Sequence, residues 1–134
     1  AAMAKADSMV NTPPTFTWYI LGLVLDWILD QGGVEEMGRR NKAKSDALYD
    51  YIDASTFYAN RVERRSRSWM NIPFLMANAD LNKQFVAQAE QAGLTNLAGH
   101  RSVGGMRASI YNAMPQAGVD ALIEFMKEFE RVHA

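Results

Sequence analysis

The segment Gly99–Pro115, GHRSVGGMRASIYNAMP, constrains the fold of this chain more than any other stretch. Its glycines permit a sharp backbone turn and the close approach of a ligand. Apolar and polar residues then alternate over 106–111, which predicts a strand with Met106 on its apolar face. The same alternation directs Arg107 to the opposite face. The segment therefore predicts a glycine turn that leads into a strand, and a strand requires a sheet.

Helical periodicity accounts for much of the remaining chain. Helices are predicted at Pro13–Asp30, Val34–Ile52 and Asp80–Ala92 and from Pro115 onward, with strands at Thr56–Tyr58 and Ser68–Phe74. Thr12 is predicted to cap the first helix, and Pro73 to lie at the edge or end of its strand. We expect an α+β fold (α/β sandwich type), a small and mainly antiparallel sheet with helices packed on it.

Length and composition restrict the class of protein. A chain of 134 residues with a net charge of −1 fits one compact domain without a general attraction for nucleic acid or membranes. Cysteine is absent, which excludes disulfides and Cys-based zinc sites and fits a cytoplasmic protein. The apolar run Ile20–Leu29 is too short to cross a bilayer and predicts a helix buried on most sides. Since the chain does not start with methionine, we expect it to begin within a longer protein.

Three groups of side chains are candidate anion sites. His100 and Arg101 follow Gly99 and could hold a phosphate, although a solvated turn is the alternative. Arg107 could bind a carboxylate in bidentate fashion or form a structural ion pair, and the spacing does not decide between them. Asn11 and Thr12 precede a helix N-terminus, which favours phosphate, but plain capping accounts for Thr12 completely and is the preferred interpretation.

Other charged residues give weaker signals. The basic cluster of Arg61, Arg64, Arg65 and Arg67 predicts a solvated turn rather than a nucleic-acid interface, because it lacks interleaved aromatic residues. None of the lysines, Lys44 included, is predicted to sit in an apolar setting that would suit it to cofactor chemistry. No metal site is predicted.

Three motifs together resemble one known family. NTPPTF at Asn11–Phe16, MNIPF at Met70–Phe74 and the whole of Gly99–Pro115 resemble the bacterial phosphoserine aminotransferases, over nearly the entire chain. The resemblance implies the C-terminal small domain of a fold-type-I, pyridoxal-phosphate-dependent aminotransferase at 33–134. It also implies that 1–32 is an inter-domain segment and a long buried helix leading from a large cofactor-binding domain outside the chain.

The resemblance also implies an activity and a set of roles. Enzymes of this family are cytoplasmic homodimers. They transfer an amino group between L-glutamate and 3-phosphohydroxypyruvate in serine biosynthesis, giving O-phospho-L-serine and 2-oxoglutarate. They also act in pyridoxine biosynthesis. Asn11 and Thr12 would contact the phosphate of pyridoxal 5′-phosphate across the dimer interface. His100 and Arg101 would bind the substrate phosphate, and Arg107 the α-carboxylate. No metal, nucleic acid or membrane partner is implied.

The chain lacks one residue that is essential in the family. The lysine that the family links to its cofactor would lie upstream of this chain, so no catalytic residue is expected here. We therefore expect the chain alone to be inactive and not to bind the cofactor. The alternative is a stand-alone binding module for small phosphorylated carboxylates, which would use the same arginines.

The absence of that lysine gives a first prediction. The chain incubated with pyridoxal 5′-phosphate should form no stoichiometric adduct, because none of its lysines has a cofactor site around it. Borohydride reduction followed by peptide mass spectrometry checks this. A single lysine modified to completion would contradict the prediction.

Overall fold

A computed structural model describes residues 1–134, which form two compact units, Ala1–Met37 and Gly38–Ala134. The helices are α1 (Ala2–Lys5), α2 (Thr15–Asp30), α3 (Gly33–Ala54), α4 (Asn82–Gln91) and α5 (Gln116–His133). The strands are β1 (Tyr58–Ala59), β2 (Asn71–Met76) and β3 (Met106–Ser109), and short 3₁₀ turns lie at Arg64–Ser66 and Ala79–Leu81. The α+β fold class is confirmed. The predicted division into 1–32 and 33–134 stays a prediction.

In the first unit, α2 begins later than predicted. Its N-cap is Pro14, without a side-chain hydrogen bond, so the prediction that Thr12 caps this helix is wrong. A residue that precedes proline is disfavoured in the helical conformation, and Pro13 precedes Pro14. The paired prolines therefore delay the helix to Thr15 and leave Thr12 outside it.

The apolar residues of α2 are not covered within this unit. No residue of α2 is buried, and large side chains such as Phe16 and Trp18 are exposed. The expectation of a buried helix is thus not met by contacts inside this chain. None of the helices combines the length and apolar character that crossing a membrane requires.

The second unit is built on an antiparallel sheet in the order β1-β2-β3. β2 is central in this order, but at Pro73 it has a strand neighbour only on the β3 side, so the prediction that Pro73 lies at an edge holds locally. The carbonyl of Pro73 accepts a hydrogen bond from the side chain of Asn60, and β1 pairs only with Leu75 and Met76. Because the N and O atoms of a strand residue point to the same side, the missing N–H of Pro73 faces a stretch where the β1 ladder has ended.

Helices cover one face of this sheet. The alternation predicted for β3 is confirmed, with Met106 and Ala108 buried and Arg107 half-buried on the other face. The core also takes in Leu48 and Ile52 of α3, Phe85 and Ala89 of α4, and Val119, Leu122, Met126 and Phe129 of α5. These positions recur at helical spacing, and the burial of apolar side chains is what holds the helices to the sheet.

Lys44 of α3 is buried, contrary to the sequence prediction. The residue is only 2% exposed. Its ammonium donates hydrogen bonds to the carbonyls of Ile110 (3.2 Å), Tyr111 (2.8 Å) and Met114 (2.9 Å). Burial lowers the pKa of Lys44 below its usual value. The helix spacing could have predicted this burial, since Lys44 lies three residues after buried Asn41 and four before Leu48.

These hydrogen bonds give a second prediction. Lys44→Met should lower the free energy of unfolding by about 3 kcal/mol, because one buried and two part-buried carbonyls lose their donor together. Lys42→Met is the matched control, since Lys42 is exposed and pairs only with Asp46, and it should change stability by less than about 0.5 kcal/mol. Urea denaturation measures both, and equal effects would refute the structural role of Lys44.

Candidate functional site

The glycine turn of 99–105 closes through backbone atoms. The Gly99 N–H donates to the Gly105 carbonyl at 2.9 Å, and the N–H groups of Val103 and Gly104 both donate to the carbonyl of His100. Gly105 has φ +64°, and a Cβ at Gly99 would lie 2.1 Å from the Gly104 carbonyl oxygen. The predicted sharp turn is therefore confirmed, and glycine is required where two backbone segments meet.

His100 and Arg101 lie on the exposed side of this turn. The Ser102 N–H donates to Nδ1 of His100 at 3.3 Å, and Ser102 Oγ lies 2.7 Å from the same nitrogen. Nδ1 is therefore an acceptor, which places the proton of the neutral ring on Nε2. Arg101 is exposed, without a hydrogen bond or ion pair inside the chain. Both side chains thus keep donors available to an anion.

Arg107 is held rigidly on β3. Its N–H donates to the Leu97 carbonyl at 2.8 Å, and it pairs with Pro73 of β2. Its Nε is buried without a hydrogen-bond acceptor, and no carboxylate of the chain forms an ion pair with it. A buried N–H of a guanidinium without an acceptor is costly, and a bound carboxylate would supply two acceptor oxygens. The chain thus contains no partner for the structural ion pair that the sequence left open.

The backbone connects the His100–Arg101 site directly to the strand that carries Arg107. Ala98, directly before the glycine turn, forms an antiparallel bridge with Met106, directly before Arg107. His100 and Arg101 therefore lie at the end of the same hairpin-like segment whose strand holds Arg107. This arrangement offers one cationic site on the turn and a second on the strand, suited to a ligand with two anionic ends.

A polar network beside Arg107 was missed by the sequence analysis. Asn71 Nδ2 donates to the Tyr111 hydroxyl at 2.8 Å, and Ser109 Oγ donates to Asn71 Oδ1 at 3.2 Å. Ser109 lies two residues after Arg107, so the two side chains share a face of β3. Alternation along 106–111 placed Ser109 and Tyr111 on this face, but the pairing with Asn71 depends on the strand register.

Asn11 and Thr12 belong to the first unit. Both are exposed, and neither side chain is used to cap α2. The first N–H groups of α2 point toward its N-terminus, where the helix dipole favours negative charge. With capping excluded, a phosphate contact by these two side chains stays a prediction.

The basic cluster is only partly a solvated turn. Arg64 and Arg65 are exposed, but the Arg67 side chain is 13% exposed and donates to both carboxylate oxygens of Asp53 at 2.7 Å. The guanidinium of Arg67 also lies 4.5 Å from the centre of the Tyr49 ring. The prediction of a solvated turn is wrong for Arg67, because a carboxylate and an aromatic face together compensate its desolvation.

The family model described as Aminotransferase class-V matches residues 1–122. The chain belongs to the class-V aminotransferase family. Among curated relatives, the phosphoserine aminotransferase of Pseudomonas entomophila (strain L48) is 57% identical over 131 residues, 98% of this chain and 36% of the relative. That of Azotobacter vinelandii (strain DJ) is 58% identical over 130 residues, 97% of this chain and 36% of the relative. This class-V aminotransferase chain thus spans about 36% of the length of the curated relatives it matches.

Solved structures agree with the family. The chain superposes on the phosphoserine aminotransferase from Bacillus circulans subsp. alkalophilus with a TM-score of 0.90 and 47% identity, covering 98% of this chain and 37% of that one. It superposes on the PLP-bound phosphoserine aminotransferase from Trichomonas vaginalis with a TM-score of 0.83 and 40% identity, covering 93% and 36%. The resemblance drawn from the three sequence motifs is confirmed, whereas the roles of the individual residues stay predictions.

The Asp53–Arg67 pair gives a third prediction. Hydrogen bonding to Arg67 lowers the pKa of Asp53, so this pair stabilises the fold above the unfolded-state pKa and loses its effect as pH falls through the folded-state pKa. The stability difference between the wild type and Asp53→Asn should stay constant from about pH 8 to about pH 6 and shrink below about pH 5. Urea titrations at several pH values measure it.

A double-variant comparison isolates the pair. In an Arg67→Gln background, Asp53→Asn should give a much smaller pH-dependent difference in stability, because only the exposed Arg64, 2.9 Å from Asp53 Oδ2, remains as a partner. A difference of undiminished size there would assign the effect to a partner other than Arg67.

Proposed function

We propose that this chain is the C-terminal, substrate-facing part of a phosphoserine aminotransferase. The complete protein would transfer an amino group between L-glutamate and 3-phosphohydroxypyruvate, giving O-phospho-L-serine and 2-oxoglutarate. The observation that carries the proposal is the guanidinium of Arg107, fixed on a strand with a buried Nε that has no acceptor in the chain. The names of the relatives and of the solved structures support the same assignment.

The two cationic sites would divide the substrate between them. Arg107 would bind the α-carboxylate that amino-acid and keto-acid substrates share, through its planar fork of N–H donors. His100 and Arg101 would bind the phosphate, using the Nε2–H of the histidine and the guanidinium of the arginine. When glutamate is the substrate, its side-chain carboxylate would take the place of the phosphate. Holding the ligand at both ends orients the reacting carbon between them.

The cofactor of the complete protein would be pyridoxal 5′-phosphate. Asn11 and Thr12 would donate hydrogen bonds to its phosphate, which fits their exposed side chains at the N-terminal end of α2. When bound, the cofactor withdraws electrons from the reacting carbon, and the protein supplies binding and orientation. The lysine that attaches it would come from outside this chain. A homodimer in the cytoplasm, in which these residues reach the cofactor across the interface, completes the proposal.

Arg107 provides the direct test, which is the fourth prediction. In the full-length protein, Arg107→Lys should raise the KM for both glutamate and 2-oxoglutarate by about tenfold or more. Lysine keeps the charge but loses the bidentate fork. Steady-state kinetics with each substrate measures the effect.

The control is Arg65→Lys, since Arg65 is exposed and pairs only with Glu63. It should leave both KM values unchanged. If Arg107→Lys behaved like the control, Arg107 would not be the carboxylate ligand. A full-length protein that bound these ligands without turning them over would favour the binding-module alternative.

A further inference from the structure

Tyr111 is an exposed residue with a hydrogen bond at its hydroxyl and another at its backbone carbonyl. The residue is 56% exposed. Its hydroxyl accepts a hydrogen bond from Asn71 Nδ2 at 2.8 Å, and its backbone carbonyl accepts one from the buried ammonium of Lys44 at 2.8 Å. The hydrogen bond to Asn71 favours one orientation of the ring, which lowers the rotamer freedom that binding a ligand would cost.

The orientation of the Asn71 amide leaves the phenolic proton available. Ser109 Oγ donates to Asn71 Oδ1, so the NH₂ group of this amide points to Tyr111. The Tyr111 oxygen is therefore an acceptor in this network, and its own O–H has no acceptor within it. A phenol can accept and donate at once, so the remaining proton can go to an external oxygen.

The strand register brings this hydroxyl close to Arg107. Asn71 is paired with Ser109, and Pro73 with Arg107, on the same face of β2 and β3. Two residues along a strand correspond to about 7 Å. Tyr111 lies four residues after Arg107, but its hydroxyl reaches back to Asn71 (2.8 Å to Nδ2), whose pair with Ser109 is the next same-face pair to Pro73–Arg107.

We propose that Tyr111 is a further substrate-binding residue, whose O–H donates to an oxygen of the carboxylate-bearing ligand held by Arg107. Asn71 and Ser109 are positioning residues that orient this donor. The assignment rests on the proposed function, because it takes the amino-acid and keto-acid substrates as the ligand. A neutral donor beside a fixed cation adds geometric selectivity for an anionic ligand without adding charge.

The fifth prediction tests the hydroxyl alone. In the full-length protein, Tyr111→Phe should raise the KM for glutamate by about tenfold, with kcat changed by less than about twofold, because the donor contributes to substrate binding. The dissociation constant of glutarate, measured by isothermal titration calorimetry, should rise by a similar factor. The melting temperature should stay within about 2 °C of the wild type, since Tyr111 is exposed.

Tyr51→Phe is the matched control. Its hydroxyl donates to Glu130 at 2.7 Å between α3 and α5, away from the Arg107 face. This variant should lower the melting temperature and leave both the KM and the glutarate affinity unchanged.

The possible results separate the two proposals. An active wild type whose Tyr111→Phe variant keeps the same KM and glutarate affinity overturns the role of Tyr111 alone. A wild type that binds glutarate more tightly than the variant but shows no transamination overturns the proposed function and keeps the Tyr111 contact. A wild type that neither binds glutarate nor reacts overturns both.

Discussion

The three carbonyls that accept hydrogen bonds from Lys44 all belong to the connection between β3 and α5. A buried ammonium without a carboxylate must be compensated by oriented dipoles, and here those dipoles come from residues more than sixty positions along the chain. Asn41, on the same helix, adds a hydrogen bond to Asn112 at 2.8 Å. One face of α3 thus holds the end of the strand whose middle carries Arg107, so the core and the candidate site share a single support.

Local patterns predicted the parts of the fold that depend on neighbouring residues. Alternation over 106–111 and the turn at Gly105 follow from strand geometry and from a backbone conformation that glycine adopts easily. The failures arose where a second influence opposed the local one. Paired prolines displaced the predicted cap at Thr12. Arg67 is buried because it pairs with the carboxylate of Asp53, fourteen positions earlier in the chain. Lys44 was misjudged because its charge outweighed its position on the apolar stripe.

The candidate site shows the same division. The arginines and the histidine could be selected from the sequence, because their residue types match the chemistry of carboxylates and phosphates. The sequence could not reveal that Nε of Arg107 has no acceptor, since this depends on every side chain that packs around it. Nor could it reveal the contact between Asn71 and Tyr111, which are forty positions apart and meet only through the strand register.

The closure of the turn between Gly99 and Gly105 has a consequence for how such a site can change. The turn is tied by main-chain hydrogen bonds and leaves no room for a Cβ at Gly99, so the backbone spacing between the cationic site on the turn and Arg107 on β3 is set by this closure. Exchanging a side chain would alter which charged group is accepted at either end. Inserting or deleting turn residues would instead alter the backbone spacing of the two sites, and with it the length of molecule that fits.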